Sequence, residues 1–266
     1  MTLFGEAPSR EVVLSPVEFD VLWNHLGLPE MPLVIRVPSP GKTHQERAEL
    51  EHAVWDGIGA RGLGRPIRLD AELERMLEVL ALPDREVDGR VWLGHSVRVL
   101  AAARDGDGVL AVLEGSQLRL RQTADFGLPR TALSVLPTLP AGTGRSITLP
   151  SSDLDAAAAQ AGNSVEALEA ALRQYGVRAE DANALSTVVS EVGHRGQFGV
   201  AARESRGKRL RADRVIAFFD TPAGRYLQTR STSPSGVPWS TISPADVRRL
   251  TQHLDELLAE LTDPDL

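Results

Sequence analysis

From Gly196 to Ile242 the chain reads Gly-Gln-Phe-Gly-Val-Ala-Ala-Arg, then Val-Ile-Ala-Phe-Phe-Asp-Thr-Pro-Ala-Gly-Arg-Tyr-Leu-Gln-Thr-Arg, then Pro-Trp-Ser-Thr-Ile. No other stretch restricts the fold as much. Short runs rich in β-branched and aromatic residues, bounded by Gly, Pro and Asp, predict four short strands. Parallel strands need long crossovers, and the turns here are short, so the sheet is predicted to be mainly antiparallel. The stretch holds no acid–base pair, no metal-ligand cluster and no phosphate loop. It reads as structure that presents a surface.

A chain of 266 residues with 42% hydrophobic and 24% charged residues is long enough to bury a substantial core. Its net charge of -7 argues against a nucleic-acid partner, which calls for a concentrated basic face. No apolar run approaches the ~18 residues of a membrane span, and Met1 to Arg10 lacks the basic start and apolar core of an export signal. With no cysteine, disulfides, thiolate zinc and thiol catalysis are all excluded. A cytoplasmic protein is expected. The 27 arginines against two lysines (Lys42, Lys208) match the bias of a GC-rich coding sequence.

Helix starts are marked locally. Ser15-Pro16-Val17-Glu18 and Thr43-His44-Gln45-Glu46 are capping boxes, and Asp70 is an N-cap before the stripe Leu73, Met76, Leu77 and Leu80. Leu33–Val37 is predicted as a short strand, and Asp88-Gly89 as a turn. Val91–Ala103, Val109–Leu113 and Gln117–Arg121 are predicted strands, and Asp105-Gly106 has hairpin-turn chemistry. The Pro- and Gly-rich stretch Pro137–Gly144 is the candidate hinge between two halves. Helices are predicted over 151–161, 164–174 and 178–192, with a last one starting at Ser243-Pro244-Ala245-Asp246 and striped by Val247, Leu250, Leu254, Leu257, Leu258 and Leu261. Residues 70–136 and 180–261 share an order of elements. The fold class is therefore α+β: a central, mainly antiparallel sheet flanked by helical bundles, in two pseudo-symmetric halves. Residues 1–10 are expected as a flexible start and 11–266 as one domain, with pseudo-halves at roughly 11–140 and 145–262.

Signals of chemistry are thin. Gly94-His95-Ser96-Val97-Arg98 resembles a nucleophile elbow, but Arg98 stands where glycine permits the close backbone crossing. A serine esterase using Ser96 is the enzymatic alternative. Gly142-Thr-Gly-Arg-Ser146 lacks phosphate-loop spacing. His44 and His52 have no third ligand nearby, and Asp105 and Asp107 lack the calcium-loop pattern. No catalytic residue, cofactor or metal is expected. Arg203–Arg214 holds a dense basic run, a solvated loop or a device that steers an acidic partner.

Six segments recur in an informative order. They are Leu14-Ser-Pro-Val-Glu-Phe-Asp-Val-Leu-Trp23 with Leu26-Gly-Leu28, Pro38-Ser-Pro-Gly-Lys-Thr-His-Gln-Glu-Arg47, and Pro83-Asp-Arg-Glu-Val87. The others are Gly196-Gln-Phe-Gly199, Phe218-Phe-Asp-Thr-Pro-Ala-Gly-Arg-Tyr-Leu227, and Pro238-Trp-Ser-Thr-Ile-Ser-Pro-Ala-Asp-Val247. In this order the chain resembles the EspG family of actinobacterial type VII secretion chaperones. The resemblance implies a two-halved fold around a central antiparallel sheet and no catalysis. It implies binding to the tip of the PPE subunit of PE–PPE heterodimers, shielding an apolar patch and keeping the cargo soluble. An adaptor for another secretion component is the further alternative, and homodimerisation is left open.

On that basis a sheet face with an apolar centre and polar rim is expected to shield the cargo. Candidate partner contacts are Arg98 and Leu100 on one strand and Phe198 and Val200 on its counterpart. Arg104, Asp105 and Asp107 of the turn, with Arg206, Arg209 and Arg211 of the basic run, are the rim candidates.

Overall fold

The computed structural model describes residues 10–162, 164–204 and 207–262. Of the expected flexible start, residues 1–9 lie outside the described residues. Arg10 belongs to the fold, its guanidinium 3.0 Å from Asp70. Strand β1 (Glu11–Leu14) leads into α1 (Pro16–His25), α2 (His44–Ala60), the small hairpin β2 (Gly64–Arg65) and β3 (Arg68–Leu69), and α3 (Ala71–Ala81). Strands β4 (Arg85–Trp92), β5 (Ser96–Arg104), β6 (Asp107–Glu114) and β7 (Gln117–Ala124) follow, and α4 (Leu128–Leu133) closes this half. The second half runs β8 (Ile147–Pro150), α5 (Ser151–Ala161), α6 (Val165–Gln174) and α7 (Ala179–Ser190). It continues with β9 (His194–Arg203), β10 (Arg209–Arg211), β11 (Ile216–Thr221), β12 (Gly224–Thr232) and β13 (Pro238–Pro244), and ends with α8 (Val247–Thr262).

All the large strands join one antiparallel sheet in the order β1-β7-β6-β5-β4-β9-β11-β12-β13-β8, with β10 beside β9. Read outward from the β4–β9 boundary, the order is the same on both sides, β5-β6-β7 against β11-β12-β13. That is the expected pseudo-symmetry. Both capping boxes form, at Ser15/Glu18 and Thr43/Glu46, and Asp70 accepts from the Leu73 amide. The Asp105-Gly106 turn forms too, with φ of 51° and 87°. These values suit the two-residue turn that matches strand twist.

Three local expectations are corrected. Among the described residues Leu33–Val37 pairs with no strand; it is a turn and extended segment whose Val34, Ile35 and Val37 are buried under the first half. Val91–Ala103 is not one strand, because Leu93-Gly94-His95 turns the chain between β4 and β5 and Gly94 adopts φ 83°. Asp88-Gly89 lies in the middle of β4, where Gly89 makes room for the Phe198 ring: a Cβ there would stand 2.5 Å from Phe198 Cε1. Glycine serves close packing at this position, not a turn.

The Pro137–Gly144 connection is packed down, not a free hinge. Arg225 on β12 is fully buried and pairs with Asp220 (Nε–Oδ1 2.7 Å), and its Nη2 donates to the Pro137 carbonyl at 3.0 Å. The Arg225 backbone also bonds Pro140 and Gly142 at 2.9 and 2.8 Å. A buried guanidinium thus ties the link between halves to the second half.

Strand alternation gives the sheet two faces, and the helices treat them differently. On one face Val87, Val99, Phe198, Val200 and Phe218 form a core with α4 and α8 that spans the sheet centre. On the other, α1–α3 cover Leu100, Ala102, Val109 and Leu118 at one end. At the other end α5–α7 cover Ile147, Leu149 and Ile242. Among the described residues no helix lies over the middle of that second face, and none is long and apolar enough to cross a membrane.

Candidate functional site

The uncovered lane is floored by the outward residues of β4, β9, β10 and β11, with Arg98 of β5 at one edge and β12 at the other. Register fixes which they are. Glu86, Asp88, Arg90 and Trp92 stand opposite Ala201, Gly199, Gln197 and Arg195, and Arg90 also stands opposite Arg98 on β5. A groove of about 500 Å³ runs between these strands and a wall formed by Met31–Val34 and the end of α3. A second, of about 510 Å³, continues along Gln197, Ala217, Gln228 and Arg230. Its far edge reaches α5 through Arg230 and Asp155, 2.6 Å apart.

The floor is charged, which corrects the expected apolar centre. Arg209 and Arg211 lie across β9 and pair with Glu86 and Asp88 on β4. Gly199 makes this crossing open, since a Cβ there would collide with the Arg211 guanidinium. The hydrogen bonds it donates to the Asp88 carboxylate make the Arg211 guanidinium hold its proton more tightly than usual. Burial pushes the Glu86 carboxyl above its ordinary range, and the Arg209 charge offsets this only in part. Arg98 is pushed the other way, first by burial and then by the neighbouring charge of Arg90. Large apolar side chains reach this lane exposed at Leu33 and Trp92.

The Glu86 shift has a measurable consequence. The folded chain binds this proton more readily than the unfolded chain. Glu86 therefore adds most to stability below its ordinary value of 4.5, and that contribution is lost as pH rises through the raised folded value. Glu86→Gln should be neutral or stabilising at neutral pH and should flatten this part of the profile, read by urea unfolding across that range. A large loss of stability at neutral pH would show that the ion pair outweighs burial.

The sequence-derived candidates separate into four groups. Arg98, Arg209 and Arg211 are in the lane. Leu100, Phe198 and Val200 are corrected: each is almost completely buried beneath the chain's own helices, and Phe198 and Val200 face away from Arg98 and Leu100. Arg104, Asp105 and Asp107 stand at the β5–β6 turn, where Asp107 pairs with Arg75 of α3 at 2.6 Å. Arg206 lies outside the described residues. Arg90, Trp92, Arg195, Glu86 and Asp88 were missed. The alternation Glu-Val-Asp-Gly-Arg-Val-Trp over 86–92 carries the signal of a strand with one wet face, but Asp-Gly chemistry masked it.

Ser96 opens β5, and among the described residues its hydroxyl bonds no histidine; His95 instead pairs with Glu114 at 2.6 Å. Among the described residues no group of three or more His, Asp or Glu side chains is placed to hold a metal ion.

The family model described as the EspG family matches residues 15–256. No curated protein matches in sequence. Among solved structures, the chain is similar to the type VII secretion system chaperone EspG5 of Mycobacterium tuberculosis, solved in complex with the PE25–PPE41 dimer. The TM-score is 0.71 at 16% identity, covering 94% of this chain and 96% of that one. At that identity the likeness is one of fold.

Proposed function

This chain belongs to the EspG family, and from that premise we propose that it is a cytoplasmic chaperone of type VII secretion. It binds the tip of a PPE subunit in a PE–PPE heterodimer and keeps that cargo soluble. The observation that carries this reading is the family match over most of the chain, supported by a similar fold solved with a PE–PPE dimer bound.

The lane between α1–α3 and α5–α7 is the docking face in this reading. A helical tip fits a long open trough better than a convex surface. Trp92 and Leu33 supply apolar anchors, and arginines supply directed hydrogen bonds. Tryptophan and arginine are the residue types that dominate binding energy at protein interfaces. The reading assigns no reaction to the chain.

Co-expression with the PE–PPE pairs encoded in the same secretion locus should yield a stoichiometric soluble complex. Hydrogen exchange on that complex should slow in β4 and β9 relative to the free protein. Failure of every such pair to co-purify would overturn the chaperone reading. A complex that leaves β4 and β9 unprotected would move the docking face elsewhere.

A further inference from the structure

Resting on the chaperone reading, we propose that Arg90 and Arg98 form a carboxylate-reading site, so that the cargo tip places an acidic side chain between them. The two residues stand directly opposite each other on β4 and β5, on the uncovered face. Like charges in that relation destabilise a sheet.

Among the described residues neither guanidinium has a carboxylate within ion-pairing distance. Each is held by a backbone carbonyl instead: Arg90 Nη2 donates to Leu33 at 3.2 Å and Arg98 Nη1 to Arg36 at 3.0 Å. These carbonyls orient the two groups without neutralising them. Other arginines along the lane divide. Arg209, Arg211, Arg36 and Arg230 each meet a carboxylate of this chain, while Arg203 donates to the Pro83 and Gly207 carbonyls. With 36 acidic residues in the chain, acidic partners are not scarce.

Burial and then the neighbouring Arg90 charge lower the proton affinity of Arg98, in keeping with a guanidinium that meets no carboxylate. Arg195, exposed and opposite Trp92, adds a third cation on the same face. In all, two carboxylates (Glu86, Asp88) meet six guanidiniums (Arg90, Arg98, Arg195, Arg203, Arg209, Arg211) on this stretch of sheet. A carboxylate matches a guanidinium fork in two parallel hydrogen bonds, and two forks a strand apart can share one. Trp92 beside them gives the acidic residue an apolar neighbour, so the fitting cargo tip carries Asp or Glu next to a large apolar side chain.

The test compares wild type, Arg90→Gln/Arg98→Gln and the exposed control Arg249→Gln against a co-purified PE–PPE pair from the same locus, by calorimetry at two salt concentrations. The double variant should bind at least about tenfold more weakly, with a shallower salt dependence, and the control should bind as wild type does. The free double variant should melt at the same temperature or higher, because the repulsion is gone. Amide substitution of acidic residues at the cargo tip should weaken wild type and leave the double variant unaffected.

Equal binding by wild type and double variant would overturn this inference and leave the chaperone reading standing. A lower melting temperature in the free double variant would make the pair structural, which also overturns it. If millimolar inorganic phosphate stabilises wild type alone and blocks the cargo, the site reads small anions and the acidic-cargo assignment falls. If no pair binds wild type at all, the chaperone reading fails and this inference with it.

Discussion

Asp220→Ala is expected to cost about 3–5 kcal/mol of unfolding free energy, the usual effect of removing one partner of a buried ion pair. Asp220 is 3% exposed and Arg225 0%. The carboxylate accepts from Nε at 2.7 Å and from Nη2 at 3.0 Å, and the guanidinium stands over the Phe218 ring, 5.3 Å from its centroid. Among the described residues Nη1 has no hydrogen-bond partner in the protein, so beyond the neutral Pro137 carbonyl and the Phe218 ring the cation depends on Asp220 to offset its burial. Truncating Asp220 leaves that charge stranded.

The same change should loosen Pro137–Gly142, because Arg225 holds that connection by side chain and backbone. Urea unfolding reads the first effect and hydrogen exchange over 137–142 the second. Replacing both partners by apolar residues, Asp220→Leu/Arg225→Met, should recover most of the loss, since nothing charged then remains buried. If Asp220→Ala costs under about 1 kcal/mol, the pair behaves like a surface bridge and does not anchor the link.

The second large effect lies where the halves meet. Phe198→Ala should cost about 3–5 kcal/mol, as expected for a fully buried aromatic whose cavity the sheet cannot close. Its ring lies over Gly89 on the neighbouring strand and 6.0 Å from the Phe218 ring, within the core that includes Leu250 and Leu254 of α8. Gly89→Ala alone should cost about 1–3 kcal/mol, because the methyl overpacks against that ring.

The two changes should not add. In the Phe198→Ala background the Gly89 methyl enters vacated space, so its own penalty should vanish in a double-mutant cycle. Purely additive costs would show that the glycine answers to backbone conformation and not to the ring. Either result bears on the proposed docking face, since β4 and β9 carry this core on one side and the charged lane on the other.

Much of the architecture was legible because its causes are local. Ser15, Thr43 and Asp70 bond amides three residues ahead, so their helices start where the capping pattern says. Asp105-Gly106 makes its own turn. Leu118 and Leu120 alternate with polar neighbours, which marks a half-buried strand before any partner is known. The elements that escaped lack such signatures. Strand β8 has four residues, and α4 has six and begins after a left-handed Gly127 with no side-chain cap. The segment 33–37 has strand-like composition, yet it is placed by burial against the first half and pairs with no strand among the described residues.

The charged lane proposed as the docking face was legible only in part. Arg209 and Arg211 stand out in the chain as members of a basic run, but their partners Glu86 and Asp88 lie 123 residues away. Read without those partners, the run suggests a free rim; in the fold it is a clasp on the floor of the lane. Phe198 and Val200 look like platform residues because they are apolar and lie on a strand, although α4 and α8 already cover that side.

The sequence by itself determined the antiparallel sheet and most helix starts, because each follows from residues that are neighbours along the chain, and the family and the two-halved order of elements, because each follows from the order of segments along it. Only the tertiary structure decided which face of the sheet stays open, and that the open face is ionic while the apolar one is closed. A period of two assigns residues to opposite faces without saying which face a helix will cover. That choice depends on where α4, α8 and the two helical groups dock, and their contacts join residues far apart in sequence.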